Sequence, residues 1–253
     1  MKKNNLIRIT KYLSPLFFLI LWYLSAYFIN APLILPYPHS VFIRLIQLVQ
    51  TGAFWLAFGF TVLRVIAAFI ISFLLGFFTG LLSADFQIFK NLISFPLNVI
   101  RTTPLIAFIL AALFWFKSGT VPVFAAVIMS LPVMISASEK GFEKNVENEE
   151  KLFKASCYGL TGLKAFWFIR LPAALPSVLA GSESSFGLCW KVVAAGEVLS
   201  IPRYAAGTLM QKAQVHLETA DVLAVTAALV IVSSLCQWGL KKSVVKINKK
   251  DYN

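Results

Sequence analysis

The sequence predicts an all-α integral membrane protein with about six transmembrane helices, folded as one domain over residues 1–253. Three observations carry this. The chain is 58% hydrophobic and only 13% charged, against roughly a quarter charged in a soluble domain. Its apolar runs approach or exceed the ~20 residues that cross a bilayer as helix. Its basic residues gather between and beyond those runs. The net charge of +12 therefore reads as loop charge under the positive-inside rule rather than as a nucleic-acid face. With short connections, the 253 residues are expected to hold the spans and no large extramembrane domain.

A basic start, with Lys2, Lys3, Arg8 and Lys11, precedes an apolar run from Tyr12 to about Ile29. The run exceeds a usual signal-peptide core and Pro32 follows Ala31, so it is read as a first span. Beyond Pro36 and Pro38, residues His39 to Gln50 alternate apolar and polar positions as a short amphipathic surface helix does. Further spans are expected at about Phe54–Leu82, Phe95–Phe116, Val121–Ala137, Pro176–Ile201 and Val222–Leu240. A polar cluster over Ser138–Lys151 and a mixed stretch to Leu175 separate the fourth and fifth.

If the N-terminus is cytoplasmic, only Arg44, Lys117, Arg203 and Lys212 of the 23 lysines and arginines lie in outer segments. Arg64, Arg101 and Lys191 lie within or at the edge of spans. All the others are inside, which places both termini and the 138–175 connection in the cytoplasm.

Arg64, Glu183, Lys191 and Glu197 interrupt apolar runs, and Arg101 starts one. Charges at membrane depth cost several kcal/mol unless they face protein or water, so all five are expected to face a bundle interior. They are candidates for a polar pathway or for ion pairs that fix helix register. Arg64 reads first as structural, with Glu183 or Glu197 as its partner. Lys191 is read either way, since a lysine there could meet an anionic substrate. Glu197 sits near the outer end of its span and marks that edge. Gly76 and Gly80 form a G-x-x-x-G pair that permits close helix approach, within the bundle or at a dimer seam.

The three cysteines (Cys157, Cys189, Cys236) are far apart and suggest no disulfide framework. His39 and His216 have no metal-ligand spacing. No catalytic constellation, metal site or cofactor site is expected, and no G-x-x-x-x-G-K-[ST] phosphate loop occurs.

The most informative segment is KLFKASCYGLTGLKAFWFIRLPAALP, from Lys151 to Pro176. Its apolar residues, among them Leu152, Tyr158, Leu163 and Trp167, need a cover. The pattern reads as a short helix, a turn over Gly159–Gly162, and a second amphipathic helix ended by Pro172. Lipid headgroups could cover it, and so could a groove on a partner protein, with Ala155 and Gly159 allowing close approach.

This segment resembles the EAA loop of ABC-importer permeases: Ala155, Gly159, Ile169 and Leu171-Pro172 keep its spacing, while Phe153 and Lys154 replace the usual first two residues. Arg64 with Gly76 and Gly80, Arg101-Thr-Thr-Pro104 with Ala107, and Pro172–Ser177 with Gly181 and Trp190–Glu197 resemble the nitrate/sulfonate/taurine-type permeases. The resemblance spans about Phe54 to Leu240. It implies a type I (MetI-like) importer permease in a bacterial cytoplasmic membrane, acting as a homodimer. Its partners would be two cytosolic ATP-binding subunits, which hold the ATP, and an extracytoplasmic solute-binding protein. Ala155, Gly159, Leu160, Ile169, Leu171 and Pro172 would couple it to the ATPase. The substrate would be a small solute such as nitrate, a sulfonate, taurine or a pyrimidine precursor. A secondary transporter or channel working without an ATPase is the alternative, and a membrane-embedded enzyme lacks a recognisable nucleophile–base pair.

Overall fold

The computed structural model describes residues 2–143 and 162–250, with side chains described for 13–143 and 162–242. The described residues are almost entirely helical. In chain order they form α1 (Lys2–Ile29), α2 (Pro38–Val49), α3 (Gly52–Asp85), α4 (Gln87–Thr102), α5 (Leu105–Trp115), α6 (Val121–Phe142), α7 (Gly162–Ser200), α8 (Ala206–Val215) and α9 (Thr219–Lys250). Helices α3, α6, α7 and α9 are each long and apolar enough to cross a bilayer. The bent pair α4–α5 makes a fifth crossing if counted as one, and α1 carries the shorter apolar stretch Leu13–Ile29. Each expected span thus has a helical counterpart. The surface helix expected at His39–Gln50 is α2, which buries Val41 and is tied to α9 by a two-pronged Arg44–Asp221 ion pair (Nη2 to Oδ2, 2.6 Å).

The core is the trio α3, α6 and α7, and small residues set its spacing. A methyl group on Gly76 would stand 2.6 Å from Met134 Cβ, one on Gly80 2.5 Å from Ser138 Cβ, and one on Gly181 2.1 Å from Ala137 Cβ. The G-x-x-x-G pair of α3 is therefore consumed in packing against α6, as small residues are where membrane helices pack without a hydrophobic driving force. Ser72 and Ser130 share a buried 2.6 Å hydrogen bond across the same seam, and Ser130 also donates to Ala126 O. Around this lie Phe58, Val65, Ile109, Ala126, Phe186, Trp190 and Val193, all buried.

Three boundaries differ from expectation. The third span is not one straight helix: the chain bends by 102° between α4 and α5. Pro104 lacks the N–H that would continue α4, and Thr103 before it is extended (φ −76°, ψ 130°), as pre-proline residues prefer. Helix α6 runs to Phe142, so the connection expected from Ser138 starts five residues later. Pro172 does not end a helix: the chain is continuous from Gly162 to Ser200. It passes the proline because Phe166–Arg170 form a π-helical turn in which the Leu171 N–H reaches Phe166 O. A wider turn just before a residue with no donor removes the ring–carbonyl clash that would otherwise kink the helix.

Candidate functional site

Two groups of polar residues lie in this bundle, one at each end of the α3–α6–α7 trio. The first surrounds Arg64, on α3, and Glu197, near the end of α7. Arg64 Nη1 donates to Glu197 Oε1 at 2.8 Å and to Tyr204 O at 2.8 Å, and its Nε donates to Gly119 O at 3.2 Å. The other carboxylate oxygen accepts from Thr61 Oγ1 (2.9 Å) and from the Gly207 N–H (3.1 Å). Thr61 also accepts from the Ala206 N–H at 3.0 Å. Glu197 is fully buried and Arg64 nearly so. Both carboxylate oxygens and two guanidinium nitrogens are satisfied, as a buried pair must be to survive desolvation.

Local backbone makes this knot possible. Helix α7 ends at Ile201, which adopts a left-handed conformation (φ 48°, ψ 57°), a costly one for a β-branched residue. The chain then turns back, so that Tyr204 O and the first residues of α8 meet the α3–α7 pair. Gly207 must be small: a Cβ there would stand 2.6 Å from Glu197 Cβ and 2.7 Å from Ala194 O.

Of the two partners expected for Arg64, the structure selects Glu197. Glu183 is half-buried on α7 and has no partner among the described residues. Glu197 does lie near the end of its span, as expected, and is also the most enclosed charge among the described residues. The expectation that fails is that all five charges face the bundle interior. Lys191 is exposed, because its neighbours Cys189, Trp190, Val192 and Val193 take the buried positions of that turn. Arg101 is exposed too.

Arg101 belongs to the second group. It lines a cleft of about 650 Å³ between α4, α6 and α7, together with Pro132, Ser136, Lys140, Ser177, Gly181 and Ser184. Arg101 Nη2 donates to Ser136 Oγ at 2.6 Å, and Ser136 in turn donates to Pro132 O at 2.9 Å. A smaller adjoining hollow shares Arg101, Ser136 and Lys140 and adds Lys90, Ser94, Asn98 and Glu139. Lys90 is neutralised there by Glu139 (2.7 Å). Arg101 and Lys140 have no carboxylate partner among the described residues.

The cleft opens along one face of α7. The positions there are Ala173, Pro176, Ala180, Ser184 and Lys191, all exposed and at helical spacing. The outward positions of α3 and α9 are instead large and apolar, among them Leu63, Ile70, Leu74, Phe78, Ile231 and Leu235. Large apolar side chains suit lipid. Small and polar ones suit water or a close partner.

A third feature lies where the chain leaves for residues 144–161. Arg170, in the π-helical turn, makes a two-pronged pair with Asp85 at the end of α3 (2.7 and 3.2 Å). Its guanidinium also lies over the Phe142 ring, 5.9 Å from the centroid. One arginine thus clamps the ends of α3, α6 and α7 together. Of the coupling residues inferred from resemblance, Ile169 and Leu171 are half-buried and Pro172 exposed at the start of α7. Ala155, Gly159 and Leu160 lie outside the described residues.

Sequence reasoning missed Thr61, Lys140, Ser136 and the Asp85–Arg170 clamp. Thr61 precedes Arg64 by three residues and so shares its helix face, a readable signal. Lys140 had been counted only as loop charge. No local pattern pairs Asp85 with Arg170, because their proximity depends on how α3 and α7 pack.

The fold and its polar groups define a polytopic helical membrane component with an open cleft that carries two cations. The chain belongs to the family of binding-protein-dependent transport system inner membrane components, whose model matches residues 72–237. It is similar to the taurine transport system permease protein TauC of Escherichia coli (strain K12), 24% identical over 225 residues covering 87% of this chain and 81% of TauC. It is also similar to SsuC of the same organism, named for aliphatic sulfonates transport, at 27% identity (90% of this chain, 86% of SsuC). The glycine betaine transport system permease protein OpuAB of Bacillus subtilis (strain 168) is 25% identical (68% of this chain, 60% of OpuAB). The chain is the permease component of an ABC transporter, of the nitrate/sulfonate/taurine type that the spaced motifs indicated, and its role is transport rather than catalysis.

Proposed function

We propose that this chain forms the solute pathway of an ATP-driven importer and takes up a small solute with an anionic group, in the class of sulfonates or taurine. The observation that carries this reading is the open cleft between α4, α6 and α7, which sets Arg101, Lys140 and three serines among small and apolar side chains, where the outward faces of α3 and α9 are large and apolar. A second copy packed over that cleft would enclose it as a channel between the two, with both termini in the cytoplasm. ATP would be bound by cytosolic partner subunits, and solute would be delivered by a separate extracytoplasmic binding protein. The names of TauC and SsuC support the substrate class.

Coupling follows from the way α7 begins. The segment with Ala155, Gly159 and Leu160 would dock on the ATPase, and Ile169, Leu171 and Pro172 continue directly into α7. The Arg170–Asp85 clamp makes the ends of the trio respond together, so a displacement of the docked segment reaches the helices that line the cleft. ATP can drive this only if it binds one arrangement more tightly than the other.

The test is a pull-down of the tagged chain from membranes in mild detergent. Recovery of a phosphate-loop ATPase, lost in Gly159→Trp with membrane insertion intact, is the expected result. Repeated recovery of the well-folded chain alone would overturn the reading.

A further inference from the structure

The cleft carries more charge than its structure needs. Its two hollows together bring Lys90, Arg101 and Lys140 against one lining carboxylate, Glu139, while Glu143 also attracts Lys90 from the end of α6. Lys90 uses that carboxylate, which leaves Arg101 and Lys140 uncompensated among the described residues. Ser136 lies six residues before the end of α6, about 9 Å in helix rise, so Arg101 is anchored that far along α6 from its end. Both Arg101 and Lys140 are exposed to the open cleft, where an anion can reach them.

Arg101 is also aimed. The Ser136 hydroxyl gives its proton to Pro132 O and so presents a lone pair to Arg101 Nη2. That fixes the guanidinium while leaving its Nε and Nη1 edge unused among the described residues. Lys140 stands one helical turn beyond Ser136 on the same face of α6, and Ser177 and Ser184 add hydroxyls from α7. A fixed arginine edge with a lysine and hydroxyls nearby suits a planar or tetrahedral oxyanion.

We propose that this cleft is an oxyanion-binding site on the solute's route, with Arg101 and Lys140 as its binding residues and Ser136 as the residue that positions Arg101. The proposal rests on the pathway reading and assigns that pathway's charge-recognising groups. Arg64, the other arginine at membrane depth, takes no part because Glu197 already neutralises it. The occupant is the anionic group of the solute rather than a lipid phosphate.

The experiment uses the full chain with its co-purified partners in phosphatidylcholine nanodiscs. The thermal unfolding midpoint is followed against methanesulfonate, with sodium chloride at equal ionic strength and neutral dimethyl sulfone as controls. The expected result is a saturable rise with methanesulfonate alone. Its half-saturating concentration should increase about tenfold or more in Arg101→Gln, as for loss of a charge-assisted hydrogen bond. Ser136→Ala should give a smaller increase and Lys212→Gln, on α8 outside both hollows, none. If Arg101→Gln does not fold, Lys140→Gln should show the same weakening. No rise in the wild type, or a rise unchanged in Arg101→Gln and Lys140→Gln, would overturn the proposal. So would stabilisation by phosphatidylglycerol nanodiscs that Arg101→Gln abolishes without any methanesulfonate effect, which would make the site a lipid one. Recovery of the ATPase with both wild type and Arg101→Gln keeps the permease reading separate from these outcomes.

Discussion

The Arg64 knot and the Arg101 cleft are two answers to one problem, a guanidinium at membrane depth. Around Arg64 every neighbour is a partner: Glu197, Gly119 O and Tyr204 O take the guanidinium, while Thr61 and the Gly207 N–H take the rest of the carboxylate. Among the described residues Arg101 itself bonds only a hydroxyl and a distant carbonyl, and the carboxylate in its hollow, Glu139, is taken by Lys90. A buried arginine paired with a carboxylate holds helices together. One without a carboxylate, beside an open cleft, is available to something that passes. The type of residue does not separate these roles; the inventory of partners does.

The largest way to break the comparison is at the knot. Arg64→Ala leaves Glu197 charged and enclosed, a loss of about 3–5 kcal/mol. The expected outcome is strongly reduced membrane yield and a collapsed unfolding midpoint. Next come the close helix contacts. Gly80→Leu or Gly207→Val forces atoms into space held by Ser138 or Glu197, at a cost of about 1–3 kcal/mol, read as a lower midpoint. Breaking the Arg170–Asp85 clamp with Asp85→Asn should lower stability by only about 1 kcal/mol, since the pair is partly exposed. It should still uncouple uptake from ATP hydrolysis, measured in proteoliposomes.

Arg101→Gln sharpens the contrast from the other side. Stability should stay within about 0.5 kcal/mol, as for other exposed positions, while anion uptake falls. At the small end, Ile201→Gly removes the left-handed strain beside the knot. It should stabilise the protein by about 1 kcal/mol, since the side chain is about half exposed (48%).

Much of the architecture was legible in the sequence because lipid imposes a coarse rule. Apolar length marks each span. Glycines 76 and 80 also announced a close contact. Legibility failed where backbone geometry overrides composition. Residues Phe95–Phe116 read as one apolar run, yet the missing N–H of Pro104 turns the chain by 102°. Pro172 read as a helix end, yet a π-helical turn carries the helix through it. The site was half legible for a related reason. Glu197 and Glu183 were equal partners for Arg64 until the left-handed turn at Ile201 folded α8 back onto the first. Lys140 looked like loop charge because its place in the cleft depends on α6 extending to Phe142.

One polar region is sealed and the other open to water, a difference that thiol accessibility measures. In a background with Cys157 and Cys236 replaced by alanine and the buried Cys189 kept, single cysteines at Ser184, Ser136 and Thr61 would be exposed to a charged methanethiosulfonate reagent in membranes. Rapid modification at Ser184→Cys and Ser136→Cys, slowed by methanesulfonate, with none at Thr61→Cys, is the predicted result. Equal modification at all three sites, or none at Ser184→Cys and Ser136→Cys, would contradict the account.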